Sequence, residues 1–589
     1  MTLRALWDNA LAGGNADWMA LPDGPIGYAQ FVQIVRRWCA WFDAAGLAPG
    51  DRVLIRTAND VVAASGFIAA MLDGLVPVLM TGDTPDLRAL AVARTVAARG
   101  FAADAGALPE LDPGCGAIEL GGAAETRGWF SRKGPDPLHG LPDPAARNPH
   151  LPGDPAGLAY ILFTSGTTAS PSGVQITRGN LFANLATLSR LFEYGPQSRI
   201  FNDMILAHAD GMIQGPVMAL ANRCAVIRSG GFTIAGMESW LGRVRQARAS
   251  HVITVPTIWA MIDAYAAHDD YFDAPECTSL LSVAAKLDAH LWERLETRFS
   301  RPVYNQYGLT ETVASALYAG PQAEMGAFGT VGKPADCAAR IDPATSAAEG
   351  ELQLKGAHIF AGYWQDPDRT AQSFTADGWL KTGDLARLSA DGSFEVLARI
   401  KSVIMMGGFL IRPDEIDEAM LRHPAVRESV TVGIEDAMFD EVPVTAVVCH
   451  HPIGEAALTA HARTYLEGQK VPKRIVVLDA IPRGASGKAQ LAALRDLLGA
   501  AIGMRSAAPP PDGNLESQVI ALAGELFRTD PAAISLASRP GQVPGWDSFS
   551  QLNFVMAAED RFGVAVPAAL VAQIVSIGDM VKAIRQLQG

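Results

Sequence analysis

Cysteine is scarce in this chain. The 589 residues hold six: Cys39, Cys115, Cys224, Cys277, Cys337 and Cys449. None forms a CxxC pair or stands at zinc-ligand spacing, which argues against a disulfide scaffold and a structural zinc site. They read as reduced and mostly buried, as in a cytoplasmic protein. Positive charge is also in deficit, with a formal net charge of −14. That excludes nucleic acid as the main partner, because phosphate binding needs clustered Lys and Arg. Long hydrophobic runs are missing too. The most apolar stretch, Val61 to Met80, is broken by Asp73, Gly74 and Pro77. It reads as a buried helix, a turn and a strand, not a membrane span. Met1 to Gly14 lacks the continuous apolar segment of a secretory signal. No internal repeat is visible.

What is present is an ordinary globular composition, 49% apolar and 19% charged, in a chain long enough for about three to five folding units at roughly 100–200 residues each. Tyr28 to Ala45 has helical spacing, Arg52 to Arg56 reads as a strand, Val61 to Leu72 as a helix and Val76 to Met80 as a strand. Such alternation predicts an α/β fold with a parallel sheet covered on both faces. Residues 105–156, rich in Pro, Gly and Ala, read mostly as loop. Alternation resumes from Ala159 to Val396. We therefore expect a large N-terminal unit with mixed sheets and flanking helices over 1–398 and a smaller, mobile α+β unit over 399–500. A Pro-rich linker over 501–514 and a helical bundle over 515–589 would follow.

The run Tyr160-Ile-Leu-Phe163 leads into Thr164-Ser-Gly-Thr-Thr-Ala-Ser-Pro-Ser-Gly173. Hydroxyls and glycine-freed amides at this density suit triphosphate oxygens, although alone the loop reads more readily as a surface turn. Six further segments follow in order: Asn305-Gln-Tyr-Gly-Leu-Thr-Glu-Thr312, Gly362-Tyr-Trp, Asp377-Gly-Trp-Leu-Lys-Thr-Gly-Asp384, Arg399-Ile-Lys401, Gly407 to Ile416 and Gly484-Ala-Ser-Gly-Lys488. Together they resemble the adenylate-forming superfamily, which contains acyl-CoA synthetases, luciferases and adenylation domains of nonribosomal peptide synthetases. The resemblance spans about residues 1 to 500.

The resemblance implies an ATP- and Mg2+-dependent ligase acting on a small carboxylic acid. It matches Thr164, Ser165, Gly166, Thr167 and Thr168 to the phosphate loop, where Ala169 and Ser172 replace the usual Gly and Lys. It matches Tyr307 to the adenine-stacking ring, Gly308 to the pocket lining, Thr310 to the α-phosphate contact and Glu311 to the Mg2+ carboxylate. Asp384 and Arg399 correspond to ribose contacts, Lys401 to the hinge of the small domain, and Gly407 and Gly408 to a pantetheine tunnel. Lys488 corresponds to the lysine of the adenylation step, which would counter charge as the carboxylate attacks. His208 matches a position that gates the acid pocket. Either Ala209 or Asp210 takes the place of an Asp that binds a substrate ammonium, so fatty, aryl, hydroxy and amino acids all stay open. Ser282-Val-Ala-Ala-Lys286 departs from the usual Gly-rich stretch, and Lys286 is a candidate replacement for the cation missing at Ser172.

Gly545-Trp-Asp-Ser-Phe549 resembles an acyl or peptidyl carrier protein. The resemblance implies 4'-phosphopantetheine on Ser548, a phosphopantetheinyl transferase as partner, and downstream biosynthetic enzymes docking on the carrier. Leu552, Val555, Met556 and Phe562 have the spacing of a buried helix face. The expected activity is acyl-adenylate formation followed by loading onto this carrier, in natural-product biosynthesis. An acyl-CoA ligase and a non-catalytic scaffold are the alternatives.

Overall fold

The computed structural model describes residues 1–588 apart from 113, 122–135, 146, 165–171, 286, 323, 343–348, 400–403, 407–408, 412, 437–438, 483–490, 504–513, 528, 544–545, 547–550, 552–553, 556, 559–560, 565, 568–569 and 571–572. The Val61–Met80 region folds as expected. Asn59 caps the helix Asp60–Leu72 by accepting from the Val61 and Val62 amides, Gly74 turns the chain at φ +83, and Val76–Thr81 is a strand. Past Asp60 the helix is buried from Val61 to Leu72 and, but for Ser65, without a polar side chain, the pattern of a core element.

Among the described residues, four sheets build the large lobe. Val76–Thr81, Arg52–Thr57, Gly100–Asp104 and Gly116–Leu120 form an all-parallel sheet. The last of these lies within the 105–156 stretch, which is otherwise loop among the described residues, as expected. It carries only Ile118 and Leu120 as large apolar residues, too few to set a period, and its pairing with Gly100–Asp104 defines it. A nine-stranded sheet has a parallel centre of Ala225–Ile227, Arg199–Asn202, His251–Thr254, Ser279–Ser282 and Val303–Tyr307. Leu158–Thr164 and Ser172–Thr177 form a hairpin whose other edge pairs with Gly362–Tyr363. Cys337–Ile341, Glu349–Gly356, Leu380–Leu388 and Phe394–Arg399 complete an antiparallel sheet. One apolar cluster runs beneath most of these elements, from Trp7, Trp18 and Trp38 to Tyr318 and Phe394.

The strands Ile404–Met406, Phe409–Ile411, Val426–Asp436 and Asp440–Cys449, with Arg474–Val477 alongside, form the small lobe's sheet. An ion network joins it to the large lobe. Arg88, on the helix Asp86–Thr95, donates to Glu415 at 2.6 Å and lies 3.0 Å from Glu467. Lys470 is 3.1 Å from Glu415 and 2.6 Å from Glu467.

Beyond it, the helices Leu515–Phe527 and Ile577–Gln588 share a separate apolar cluster. Phe527 stacks on Trp546 at 4.5 Å, and the Trp546 indole donates to Gln551 at 2.5 Å. Ile234 and Met261 of the large lobe are buried in this same cluster. Val555 is buried as its spacing predicts and Phe562 packs at the edge, whereas Leu552 and Met556 lie outside the described residues. All six cysteines are free. Cys39, Cys224 and Cys277 are buried, and the other three are half-buried, fewer than expected. Among the described residues, no helix is long and apolar enough to cross a membrane.

Candidate active site

The parallel strands Arg199–Asn202, His251–Thr254, Ser279–Ser282 and Val303–Tyr307 end on one edge of the nine-stranded sheet, where open α/β sheets bind ligands. Tyr307 closes the last strand, and its hydroxyl donates to Asp384 at 2.5 Å. Asp384 is 2% exposed and stands directly opposite Arg399 in the antiparallel pair Leu380–Leu388 with Phe394–Arg399. Three residues assigned from separate motifs therefore meet in one place. The Arg399 side chain lies outside the described residues.

The chain then turns sharply. A Cβ at Gly308 would meet the Ala314 carbonyl at 1.8 Å, so only glycine admits this close approach. Thr310–Thr312 makes a short 3-10 turn. Val313 follows at φ 69, ψ −72, closing a three-residue turn in which the Ala314 amide donates to the Thr312 carbonyl at 2.9 Å. A β-branched residue at positive φ is strained, and such strain clusters at functional sites. Glu311 projects from this turn and accepts from the Tyr363 hydroxyl at 2.7 Å. Burial, and then the Glu311 carboxylate, push the Tyr363 phenol well above its ordinary range, so it stays a donor. Arg369 stacks over the Tyr363 ring at 4.0 Å. Because Tyr363 also pairs with Val174, Glu311 is tied to the hairpin bearing the phosphate loop.

The two feet of that loop, Thr164 and Ser172, are paired. The Thr164 side chain and Ser165, Gly166, Thr167 and Thr168 lie outside the described residues, as do Lys286, Lys401, Gly407, Gly408, Lys488 and Ser548. One carboxylate with a fixed donor behind it suits Mg2+, which takes one or two protein carboxylates plus phosphate oxygens. Among the described residues no group of three or more His, Cys, Asp or Glu could hold a metal unaided. The departure at 282–285 has a visible consequence. Ala284 sits at φ 68, a conformation glycine adopts without strain. The Ser282 hydroxyl and the Asn305 side-chain oxygen Oδ1, on paired residues of adjacent strands, are buried without a partner.

His208 and Asp210 stand together at the start of the helix Ala209–Met212, with His208 as its N-cap. A Cβ at Gly211 would meet the Ile205 carbonyl at 2.2 Å, so the loop folds tightly on itself. His208 is not a packed core residue. Its ring reaches solvent within a crowded recess, where desolvation and then the Lys470 ammonium lower its pKa, against an opposing pull from Glu467. Burial pushes Asp210 up to about 6, partly offset by the 2.8 Å hydrogen bond from Gln214. Tyr160 lies close enough for the Asp210 charge, after burial, to raise its phenol. The Tyr160 hydroxyl and the Gln214 amide oxygen are buried without partners. Sequence reasoning missed the roles of Tyr363, Gln214 and Tyr160. Tyr363 lies in the Gly362-Tyr-Trp segment and Tyr160 opens the strand run before the phosphate loop, but neither role was assigned, and Gln214 was marked only by its spacing of four from Asp210.

Residues 10–364 match the AMP-binding enzyme family, and residues 415–488 match the AMP-binding enzyme C-terminal domain. The chain belongs to the AMP-binding enzyme family. It is a ligase of the adenylate-forming type. It is 35% identical over 353 residues to the sulfoacetate–CoA ligase of Cupriavidus necator, covering 59% of this chain and 68% of that protein. It is 31% identical over 353 residues to the 2-succinylbenzoate–CoA ligase of Bacillus subtilis, covering 57% and 68%. An o-succinylbenzoate CoA synthetase structure from Bacillus subtilis superposes with a TM-score of 0.71 at 22% identity, covering 84% of this chain and 98% of that one. The two matches cover most of the large lobe and part of the small lobe, and residues 365–414, with Asp384 and Arg399, fall between them. Residues beyond 488 lie outside both family matches.

Proposed function

We propose that this AMP-binding enzyme joins ATP to a small carboxylic acid and passes the acyl group to a thiol. A carboxylate oxygen attacks the α-phosphorus and pyrophosphate leaves. The thiolate then attacks the acyl carbonyl and AMP leaves, so one difficult condensation becomes two easier displacements. The meeting of Tyr307, Asp384 and the Arg399 backbone beside Glu311 carries this reading. Tyr307 offers a planar face to adenine, and the buried Asp384 carboxylate is acceptor-only, which suits a ribose diol. Thr310 would contact the α-phosphate, Glu311 would hold Mg2+, which would draw off negative charge from the phosphates, and Lys488 would supply a cation for the substrate carboxylate and the α-phosphate.

Coenzyme A is the acceptor thiol that the relatives favour. His208 and Asp210 receive the acid. Because Asp210 is ionised above about pH 6, the pocket prefers substituents that donate a hydrogen bond, hydroxyl or ammonium, and opposes a second anionic group. The second reading is loading of a pantetheine arm on Ser548. It draws support from Gly545–Phe549 and from the apolar cluster around Trp546, which the C-terminal helices share with Ile234 and Met261; the helix Leu491–Gly503 runs into the start of the expected linker at 501–514. That reading would add a phosphopantetheinyl transferase and carrier-docking enzymes as partners.

Pyrophosphate exchange over fatty, aryl, hydroxy and amino acids tests adenylation, and silence toward every acid would overturn it. With the best acid, acyl-CoA in solution supports the first acceptor. A mass shift on Ser548 of the phosphopantetheinylated chain supports the second.

A further inference from the structure

The loop that carries His208 and Asp210 is held from behind by a residue outside every recognised motif. Arg228 follows the strand Ala225–Ile227 and is 4% exposed. Its Nη1 donates to the carbonyls of Asn202 and Met204 at 2.6 and 2.7 Å. Its Nε and Nη2 meet the two oxygens of Asp60 at 2.9 and 3.1 Å, in the first turn of the buried helix Asp60–Leu72. Asn202 relays the contact. Its Oδ1 accepts from the Met204 amide at 3.0 Å and its Nδ2 donates to the Asp210 carbonyl at 2.8 Å. Between them, Asp203 accepts from the Ser229 amide at 2.7 Å and the Trp240 indole at 2.8 Å.

A buried guanidinium needs a counter-ion and acceptors for its remaining donors. Here the counter-ion comes from the helix, and both remaining acceptors belong to the loop entering the acid site. Bonds to backbone carbonyls fix where a loop runs, whichever side chains it bears. Arg suits this task better than Lys because its planar fork addresses several acceptors at set angles.

We propose that Arg228, paired with Asp60, is a positioning residue for the carboxylic acid. It fixes the Asn202–Asp210 turn and thereby the places of His208 and Asp210. The inference rests on the reading that the acid binds beside these two residues. The nucleotide contacts Tyr307 and Asp384 lie on other strands, so the effect falls on the acid and spares ATP.

The test measures KM for acid and for ATP separately, by pyrophosphate exchange, alongside thermal melting. The variants are Arg228→Lys, Asn202→Ser and the double variant Asp60→Asn with Arg228→Met, which leaves no lone buried charge. In the double variant the acid KM should rise about tenfold or more while the ATP KM stays within about twofold. Asn202→Ser should move the acid KM in the same direction by less, and Arg228→Lys should retain part of the parental value. Folded variants with an unchanged acid KM, or with both KM values rising together, overturn the proposal. If the double variant fails to fold, Asn202→Ser decides between the same outcomes. A parent chain silent toward every acid overturns the adenylation reading itself, and this inference with it.

Discussion

The nucleotide side and the acid side of the site are built differently. On the nucleotide side, acid groups are held by phenols: Tyr307 donates to Asp384 and Tyr363 to Glu311. On the acid side, desolvation leaves Asp210 at about 6, and the Tyr160 hydroxyl and a Gln214 oxygen are buried without partners. A constant ligand such as ATP rewards groups fixed in advance. A variable ligand is recognised by polar atoms that it alone satisfies, which gives discrimination because a mismatched acid leaves them unpaired.

The largest break in this contrast should come from Glu311→Gln. It keeps the shape and the Tyr363 contact but removes the charge facing Mg2+. The rate of pyrophosphate exchange should fall by about 10²–10³, with the acid KM little changed. An equal change in acid KM would merge the two sides.

Asp210→Asn should act on stability as well as selectivity. A carboxyl raised from 3.8 to about 6 in the folded state binds its proton more tightly there than in the unfolded chain. The native state is therefore penalised above about pH 6, and the penalty fades as pH falls toward 4. The variant should gain up to about 3 kcal/mol at pH 7 and nothing below pH 4, as read from denaturant melts across pH. The acid KM of the parent should itself rise below pH 6. A pH-independent gain would show that Asp210 is not desolvated.

Much of the nucleotide side was legible in the sequence because its motifs are short, ordered and chemically obligatory. Tyr307, Asp384 and Arg399 stand far apart in the chain, yet each could be matched separately; strand register sets Asp384 opposite Arg399, and a hydrogen bond joins Tyr307 to Asp384. The acid side was less legible. Asp210 could be noticed, but its partner Gln214 and its neighbour Tyr160 depend on how a helix and a strand pack. Arg228 left no signal, because a buried ion pair 168 residues apart obeys no local period. In the fold, the strands around Arg52 and Val76 announced themselves as continuous apolar runs. Gly116–Leu120 did not, since only pairing makes it a strand.

The smallest test concerns the stretch where the sequence departs from type. Ala284→Gly should relieve the positive φ and stabilise by about 0.5–1 kcal/mol, without altering exchange kinetics. Loss of stability would mean that the Ala284 methyl group packs against something of greater worth.

Ile234 and Met261 belong to the large lobe by sequence but are roofed by the C-terminal helices, with Phe232 and Tyr265 at the margin. A chain cut near residue 513 would leave this patch facing water. Tyr307, Asp384 and Glu311 lie elsewhere, so the expected outcome is self-association of the truncated chain, read by sedimentation velocity. The tail is thus a lid on an adhesive surface, and its absence would be felt first in the centrifuge, before any assay registered it.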